Sequence, residues 1–236
     1  MDKKVVRAIT PIRVAILVDG AFYRRRAQIM LGEVSPEDRA EELWKYCIKH
    51  LFNDNEIFSL YRIFYYDCPP MTKKLYHPFL KTEIDYSKSE LYKWMEKFLK
   101  ELKRRRKFAI RLGKLADDQA HFSIRPNVIK KLCNGSKKFE ELVEQDFCLN
   151  VTQKGVDMKI GLDIASLAFK KQVDKIVLIS GDSDFVPAAK LARREGIDFV
   201  LDPLFNPIKP DLFEHIDGLH TCDSRFKPVI REDKGA

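Results

Sequence analysis

Short apolar runs that stop at an aspartate constrain the fold of this chain more than any other feature. Residues 13–18 (RVAILV) form such a run, which is followed by Asp19 and Gly20. Continuous rather than alternating apolar residues are typical of strands that are buried on both faces, as in parallel sheets. Further strands of this kind are predicted at residues 58–66, 108–112, 175–179 and 198–201.

Helical segments separate these predicted strands. Ser35 followed by Pro36 predicts a helix start that leads into an amphipathic segment over residues 40–51. Gly196 predicts the end of a helix over residues 186–195. Other helices are predicted at residues 89–107 and 156–169. Strands that alternate with helices imply an α/β fold whose mostly parallel sheet is covered on both faces.

The length of 236 residues fits a single domain over residues 1–236 better than two domains. Periodicity fades after residue 116, and residues 71–151 are predicted to contain a helical or loop insertion. Residues 204–236 are predicted to form a C-terminal extension. A hydrophobic content of 45% supplies an ordinary core for such a domain.

The chain carries a net charge of +8, and its isoelectric point is near 9.1. This charge favours a polyanionic partner, although many soluble proteins are as basic without binding one. The five cysteines form no CxxC pair, which indicates free thiols in a reducing compartment. The first apolar run is too short for a signal peptide or a membrane span. We therefore expect a soluble, cytoplasmic protein without a membrane partner.

Aspartates at strand ends form the candidate active site. Because the carboxyl ends of parallel strands share one edge of the sheet, Asp19, Asp67 and Asp182 are predicted to lie together. A lone aspartate there is an ordinary turn or helix-capping residue. Three together create a negative pocket that is costly without a cation. Carboxylate oxygens suit Mg²⁺ or Mn²⁺, which would hold phosphate oxygens and activate water.

Asp157 is a further candidate, at the start of the helix predicted over residues 156–169. Helix capping is the alternative explanation for it. We expect this helix start to lie away from the acidic edge unless the preceding loop wraps over that edge. Asp163 lies about 120° further round the same helix, so it is interpreted as a structural residue or a support for the metal ligands.

Four sequence blocks carry a family resemblance. KGVDMKIGLDIASLAF and DKIVLISGDSDFVPAAKLARREGIDFV lie between residues 154 and 200, ILVDGAFY contains Asp19, and FYYDCPP contains Asp67. Together they resemble NYN domains of the LabA-like group, within the PIN-like nuclease superfamily. The resemblance implies a PIN-like three-layer α/β/α fold that hydrolyses RNA phosphodiester bonds with Mg²⁺ or Mn²⁺. It also implies single-stranded or structured RNA as partner and, because PIN-like domains often pair, a homodimer.

The resemblance assigns roles to several acids. Asp19, Asp157 and Asp182 match the catalytic, metal-binding acids of the family. Asp184 matches an auxiliary acid, Asp67 is a candidate fourth member, and Ser180 either orients the acids or makes turn hydrogen bonds. Many relatives also carry an asparagine shortly after the first Asp-Gly, where this chain has Ala21-Phe22-Tyr23. The missing amide leaves open whether the full catalytic arrangement is present.

Basic and aromatic residues near these acids are candidates for substrate binding. Arg24, Arg25 and Arg26 follow Asp19 within two helical turns, and Lys154 lies beside Asp157. Tyr23 and Phe22 are candidates for stacking on an unpaired base, with core packing as the alternative for Phe22. Residues 103–107 (KRRRK) are equally well explained as cations at a helix end.

Other classes of function have weaker support. No phosphate-binding loop, dinucleotide fingerprint or nucleophile elbow follows a predicted strand. His215, His220 and Cys222 lack the paired spacing of a zinc site. The alternatives left open are an RNA-binding or protein-interaction module that has lost turnover, and a deoxyribonuclease that uses the same acids. The retained aspartates favour an endoribonuclease, because a binding module gains nothing from a repulsive acidic cluster.

Overall fold

A parallel sheet forms the middle layer of the protein. The computed structural model describes residues 10–52 and 56–227. The strands in this part of the chain are β1 (Ile12–Asp19), β2 (Phe58–Asp67), β3 (Lys74–His77), β4 (Thr82–Asp85), β5 (Phe108–Leu112), β6 (Lys114–Leu115), β7 (His121–Ile124), β8 (Phe147–Asn150), β9 (Gln153–Lys154), β10 (Lys175–Ile179), β11 (Asp198–Asp202) and β12 (Gly218–Leu219). Six of them form one sheet in the order β12-β11-β10-β1-β2-β5, and each neighbouring pair is parallel.

Helices cover both faces of this sheet. They are α1 (Gly20–Leu31), α2 (Pro36–Lys49), α3 (Glu90–Lys103), α4 (Pro126–Cys133), α5 (Val156–Phe169), α6 (Val186–Arg194) and α7 (Pro210–Phe213). One core lies between the sheet and α1, α2 and α3, and a second core lies between the sheet and α5 and α6. This arrangement confirms the predicted three-layer α/β/α fold with a parallel central sheet.

Local sequence explains where the helices begin and end. The hydroxyl of Ser35 accepts a hydrogen bond of 3.0 Å from Asp38 N, and Pro36 occupies the first turn of α2. Gly196 follows α6 with a φ of +81°, a left-handed conformation that favours glycine. The helix predicted to reach residue 107 ends at Lys103, because a turn closed by Phe108 N and Arg105 O leads into β5.

Helix α5 runs antiparallel to the strands. Its start is joined to β9, where Lys154 pairs with Lys114 just beyond the carboxyl end of β5. Its other end leads to Asp174, whose N–H donates to Arg13 O near the amino ends of β1 and β10. The first turn of α5 therefore lies at the carboxyl edge of the sheet. The expectation that this turn lies away from the edge was wrong, because a helix that returns to a parallel strand begins at that edge.

The segment predicted as an insertion, residues 71–151, has two structural parts. Helix α3 and strand β5 belong to the central layers, since α3 contributes Met95 and Phe98 to the buried core. The β3–β4 hairpin, the β7–β8 pair and α4 lie outside the six-stranded sheet. Beyond residue 204, β12 adds a parallel strand to the sheet edge, and Phe226 is buried in the core.

Candidate functional site

Asp19 occupies the last position of β1 and the N-cap of α1. Its Oδ1 accepts a hydrogen bond of 3.1 Å from Phe22 N, and its Oδ2 accepts one of 3.3 Å from the hydroxyl of Ser180. Ser180 is fully buried at the end of the neighbouring strand β10. The carboxylate is thus held between the first turn of α1 and the loop after β10, and it keeps lone pairs free for a further ligand.

The SGDSD loop continues from Ser180. The N–H of Asp182 donates to the Ser180 hydroxyl at 3.3 Å, and Asp182 Oδ1 accepts a hydrogen bond of 3.0 Å from Asp184 N. Both Asp182 and Asp184 are exposed. This local hydrogen bonding starts the helical turn Ser183–Phe185 and presents two carboxylates at the carboxyl edge.

The charges of these acids act on one another. Burial raises the pKa of Asp19 to about 6, the bond from Phe22 N opposes this rise, and the charge of Asp157 adds to it. Partial desolvation, followed by the charges of Asp182 and Asp184, raises the pKa of Asp157. The carboxylates therefore repel one another across the edge of the sheet.

Asp67 points to the opposite face of the sheet from Asp19. In the register of β1 and β2, Asp19 pairs with Tyr66, so Asp67 is one residue further along and faces the other way. Arg24 donates to its two oxygens at 2.9 and 3.0 Å, while Tyr65 Oη and Cys68 N each donate at 2.8 Å. Its lone pairs are occupied, which disfavours the predicted auxiliary role at the metal.

Only one of the three consecutive arginines is available to a ligand. Arg24 is bound to Asp67, and Arg26 donates to the carbonyl oxygens of Leu204 and Phe226 at 2.8 and 3.4 Å. Arg25 is exposed and makes no side-chain hydrogen bond or ion pair with the described residues. These contacts inside the fold disfavour the predicted substrate contact of Arg24 and Arg26, and substrate contact stays a prediction for Arg25.

Of the two aromatic candidates, Tyr23 packs in the core and Phe22 lies at the acidic edge. Tyr23 is fully buried beside the rings of Tyr46 and Phe226, and this burial disfavours its predicted contact with substrate. Phe22 is half-buried at the acidic edge, and its ring lies 2.8 Å from where a Cβ on Gly181 would be. A side chain at position 181 would therefore have to displace the Phe22 ring, whereas the backbone at Gly181 is not in a left-handed conformation.

Asn206 is a site residue that the sequence analysis missed. Its Nδ2 lies 3.3 Å from the Cβ position of Gly181, and its only side-chain hydrogen bond to a described residue is a long one of 3.4 Å to Pro207 O. An amide is therefore present beside the SGDSD loop even though the segment after Asp19 lacks one. The only sequence signal for this site residue was an asparagine a few positions beyond the end of β11.

Lys154 and Asp163 lie on either side of Asp157 in the sequence but differ in their surroundings. Lys154 is exposed in β9. Asp163 accepts hydrogen bonds from Tyr66 Oη at 2.8 Å and from Arg111 Nε at 3.2 Å. These bonds agree with the interpretation of Asp163 as a structural residue.

The donor set at the acidic edge consists of carboxylate oxygens, which suit hard cations. Among the described residues, the three possible metal ligands that lie closest together are not at this edge. His50, Asp202 and Cys222 bring one ligand atom each to within 4.8 Å of one another, whereas the edge carboxylates are more widely spaced. Mg²⁺ commonly retains several waters and binds through one or two carboxylates plus phosphate, so wide spacing is compatible with it.

The His50–Asp202–Cys222 group is held together by hydrogen bonds. Asp202 is fully buried at the end of β11 on the α2 face of the sheet, where Tyr46 Oη also donates to it. His50 Nε2 lies 2.9 Å from Asp202 Oδ2, and Thr221 Oγ1 donates to Oδ1 at 2.7 Å. This network ties the segment after β12 to α2.

The parallel sheet and its acidic edge define an α/β protein of the PIN-like type. A model of the NYN domain matches residues 76–207, more than half of the chain, and the chain belongs to the NYN domain family. Asp157, Asp182 and Asn206 lie within this range, whereas Asp19 precedes it.

Two other proteins show weaker similarity. An uncharacterized protein of Methanocaldococcus jannaschii, MJ0482, is 27% identical over 94 residues, which are 39% of this chain and 39% of that protein's length. The crystal structure of a protein of unknown function, VPA0982 from Vibrio parahaemolyticus, aligns over 94% of this chain and 99% of its own, with a TM-score of 0.48 and 13% identity. Among the helices of the described residues, none has the length and apolar character to span a membrane.

Proposed function

We propose that this protein is a metal-dependent endoribonuclease whose catalytic residues are Asp19, Asp157 and Asp182. The observation that carries the proposal is the mutual electrostatic effect of these acids at one edge of a parallel sheet. Burial raises the pKa of Asp19 to about 6, and the charge of Asp157 adds to that rise. An arrangement that destabilises its own charges is useful when a cation and a phosphate compensate for them.

The acids fit a divalent cation, since their oxygen ligands are those that Mg²⁺ and Mn²⁺ prefer. Asp19, Asp157 and Asp182 would hold the ion, with Asp184 as an auxiliary acid beside them. When bound, the ion supplies charge neutralisation at the phosphate and lowers the pKa of water. Ser180 fixes Asp19 Oδ2 through its hydroxyl, so its role is to position that carboxylate.

Neighbouring side chains would bind the RNA. Arg25 and Lys154 are exposed cations that suit phosphate contacts. Phe22 is half-buried beside Gly181 and offers a ring for base stacking. Asn206 supplies an amide donor on the same side of the loop.

Cleavage of labelled single-stranded RNA tests the proposal. The wild type is incubated with Mg²⁺, with Mn²⁺ and with excess chelator, beside Asp182→Asn and the control Asp211→Asn, which changes an exposed acid on α7. We expect metal-dependent cleavage that Asp182→Asn abolishes and Asp211→Asn retains. Equal residual cleavage by the Asp182→Asn variant would show a contaminant and overturn the proposal.

A matched DNA strand in the same assay distinguishes ribonuclease from deoxyribonuclease activity. The amide-free segment Ala21-Phe22-Tyr23 favours a binding module without turnover as the second candidate. Binding of RNA without cleavage in either metal would support that candidate. A cytoplasmic location and a homodimer are further parts of the proposal, and light scattering of the purified protein measures the latter.

A further inference from the structure

A groove of about 450 Å³ lies beside the acidic edge, where β6, β9 and the first turn of α5 meet. Lys114, Lys154 and Lys159 line it, and Asp118 is the acid among its lining residues. All three lysines are exposed, and their ammonium groups make no hydrogen bond or ion pair with the described residues. The groove therefore has an excess of uncompensated positive charge.

Two of these lysines are placed directly opposite each other. Lys114 and Lys154 are register partners in the antiparallel β6–β9 pair. Like charges at opposed positions destabilise a strand pair, and no acid of the described residues neutralises either ammonium group. An anionic ligand between them would remove this repulsion.

The backbone at Gly155 leaves the groove unobstructed beside the lysines. Gly155 precedes α5 with a φ of +79°, and the helix start has no side-chain cap. Nothing lies within 4 Å of where a Cβ on Gly155 would be, so the groove is unobstructed at this residue. The opposite wall is fixed, because a Cβ on Gly113 would lie 2.6 Å from Lys154 O.

The groove lies close to the acids. Lys154 lies in the same short segment as Asp157. Strand β5, which leads into β6, is two positions from β1 in the sheet, a separation of about 10 Å. A strand of a few nucleotides can span this distance and bring one phosphate to the half-buried Asp19, which a stiff duplex reaches less readily.

We propose that the groove of Lys114, Lys154 and Lys159 binds the phosphate backbone of a single-stranded nucleic acid that extends away from the acidic edge. This inference rests on the proposed nuclease function but concerns binding rather than hydrolysis. Within residues 71–151, it gives a substrate-binding role to β6 and to the loop that leads to β9.

Fluorescence anisotropy with a labelled oligouridylate, in chelator and without divalent metal, measures this binding separately from cleavage. The test variant is Lys114→Ala/Lys154→Ala/Lys159→Ala. The matched control is Lys97→Ala/Lys100→Ala/Lys170→Ala, which removes the same charge from exposed positions of α3 and from the far end of α5. We expect the groove variant to weaken binding by about tenfold and to reduce the slope of log K against log salt by about 2, whereas the control stays close to wild type.

Equal affinities of the groove and control variants would overturn the inference, as would tighter binding of the annealed duplex or no binding by the wild type. Thermal unfolding of both variants verifies that they are folded. The outcome is independent of catalysis. If only the groove variant loses binding, the proposed role of the groove is supported even when no metal ion promotes cleavage. If cleavage is normal and the two variants bind with equal affinity, the role of the groove is rejected and the nuclease function is not.

Discussion

Arg24 and Asp67 form a two-pronged ion pair beneath the acidic edge, with Nε–Oδ2 and Nη2–Oδ1 distances of 2.9 and 3.0 Å. Asp67 is almost fully buried, and Tyr65 Oη donates to the same carboxylate. The pair fixes the first turns of α1 to the end of β2. Since Asp19 caps α1, the ion pair also determines where Asp19 lies.

Arg24→Ala is expected to lower the free energy of unfolding by about 3 kcal/mol, because it leaves a buried carboxylate without its cation. Arg25→Ala, at the adjacent exposed position, is expected to change stability by less than about 0.5 kcal/mol and to weaken RNA binding instead. Urea unfolding and anisotropy measure the two effects. Equal losses of stability in the two variants would contradict the assignment of Arg24 to the fold.

Asp19→Asn is expected to stabilise the metal-free protein at neutral and alkaline pH. The folded protein binds the Asp19 proton more tightly than the unfolded chain does, because the pKa is about 6 rather than 3.8. Wild-type stability therefore falls as pH rises between these values, and the variant escapes this loss while its amide still caps α1. The difference should reach on the order of 2 kcal/mol above the folded pKa.

Thermal and urea unfolding across pH, in chelator, measure that difference. Adding Mg²⁺ or Mn²⁺ should stabilise the wild type more than Asp19→Asn, and more at alkaline than at acidic pH. A difference between the two proteins that does not change with pH would show that Asp19 carries no raised pKa.

Asn206→Ala is expected to reduce RNA cleavage by about tenfold or more, because it removes a polar donor beside Gly181. The control is Asn127→Ala, at an exposed position of α4. Cleavage rates and circular dichroism are measured for both variants. A rate for Asn206→Ala that equals the control rate would exclude a role for this amide.

The His50–Asp202–Cys222 group is expected to stabilise the fold without a bound metal. Tyr46, Thr221 and Leu204 N already donate to the Asp202 carboxylate. Tyr46→Phe should therefore lower stability by about 1–3 kcal/mol, whereas Cys222→Ser should change it little. Elemental analysis of the purified protein checks the metal content. Stoichiometric zinc that is lost in Cys222→Ser would overturn this expectation and restore a zinc site.

The sequence predicts five of the six strands of the central sheet, because buried parallel strands are continuous apolar runs, and the helices that cover it are predicted because helix ends carry their own signals. The sequence does not predict toward which face of the sheet an aspartate at a strand end points. Asp19 and Asp67 both end strands, yet a register offset of one residue sends them to opposite sides of the sheet. Asn206 could not be predicted as a site residue, since its approach to Gly181 depends on how a loop folds over the finished sheet.

The position of β1 and β2 in the sheet determines which truncated forms of the protein can fold. The family match begins at residue 76, but β1 and β2 lie in the middle of the sheet, between β10 and β5. A recombinant fragment limited to residues 76–207 would lack these strands and leave β10 and β5 without their partners, and unpaired strand edges are templates for aggregation. Residues 76–207 alone are therefore not expected to fold as an independent unit, and a recombinant protein needs the N-terminal strands as well.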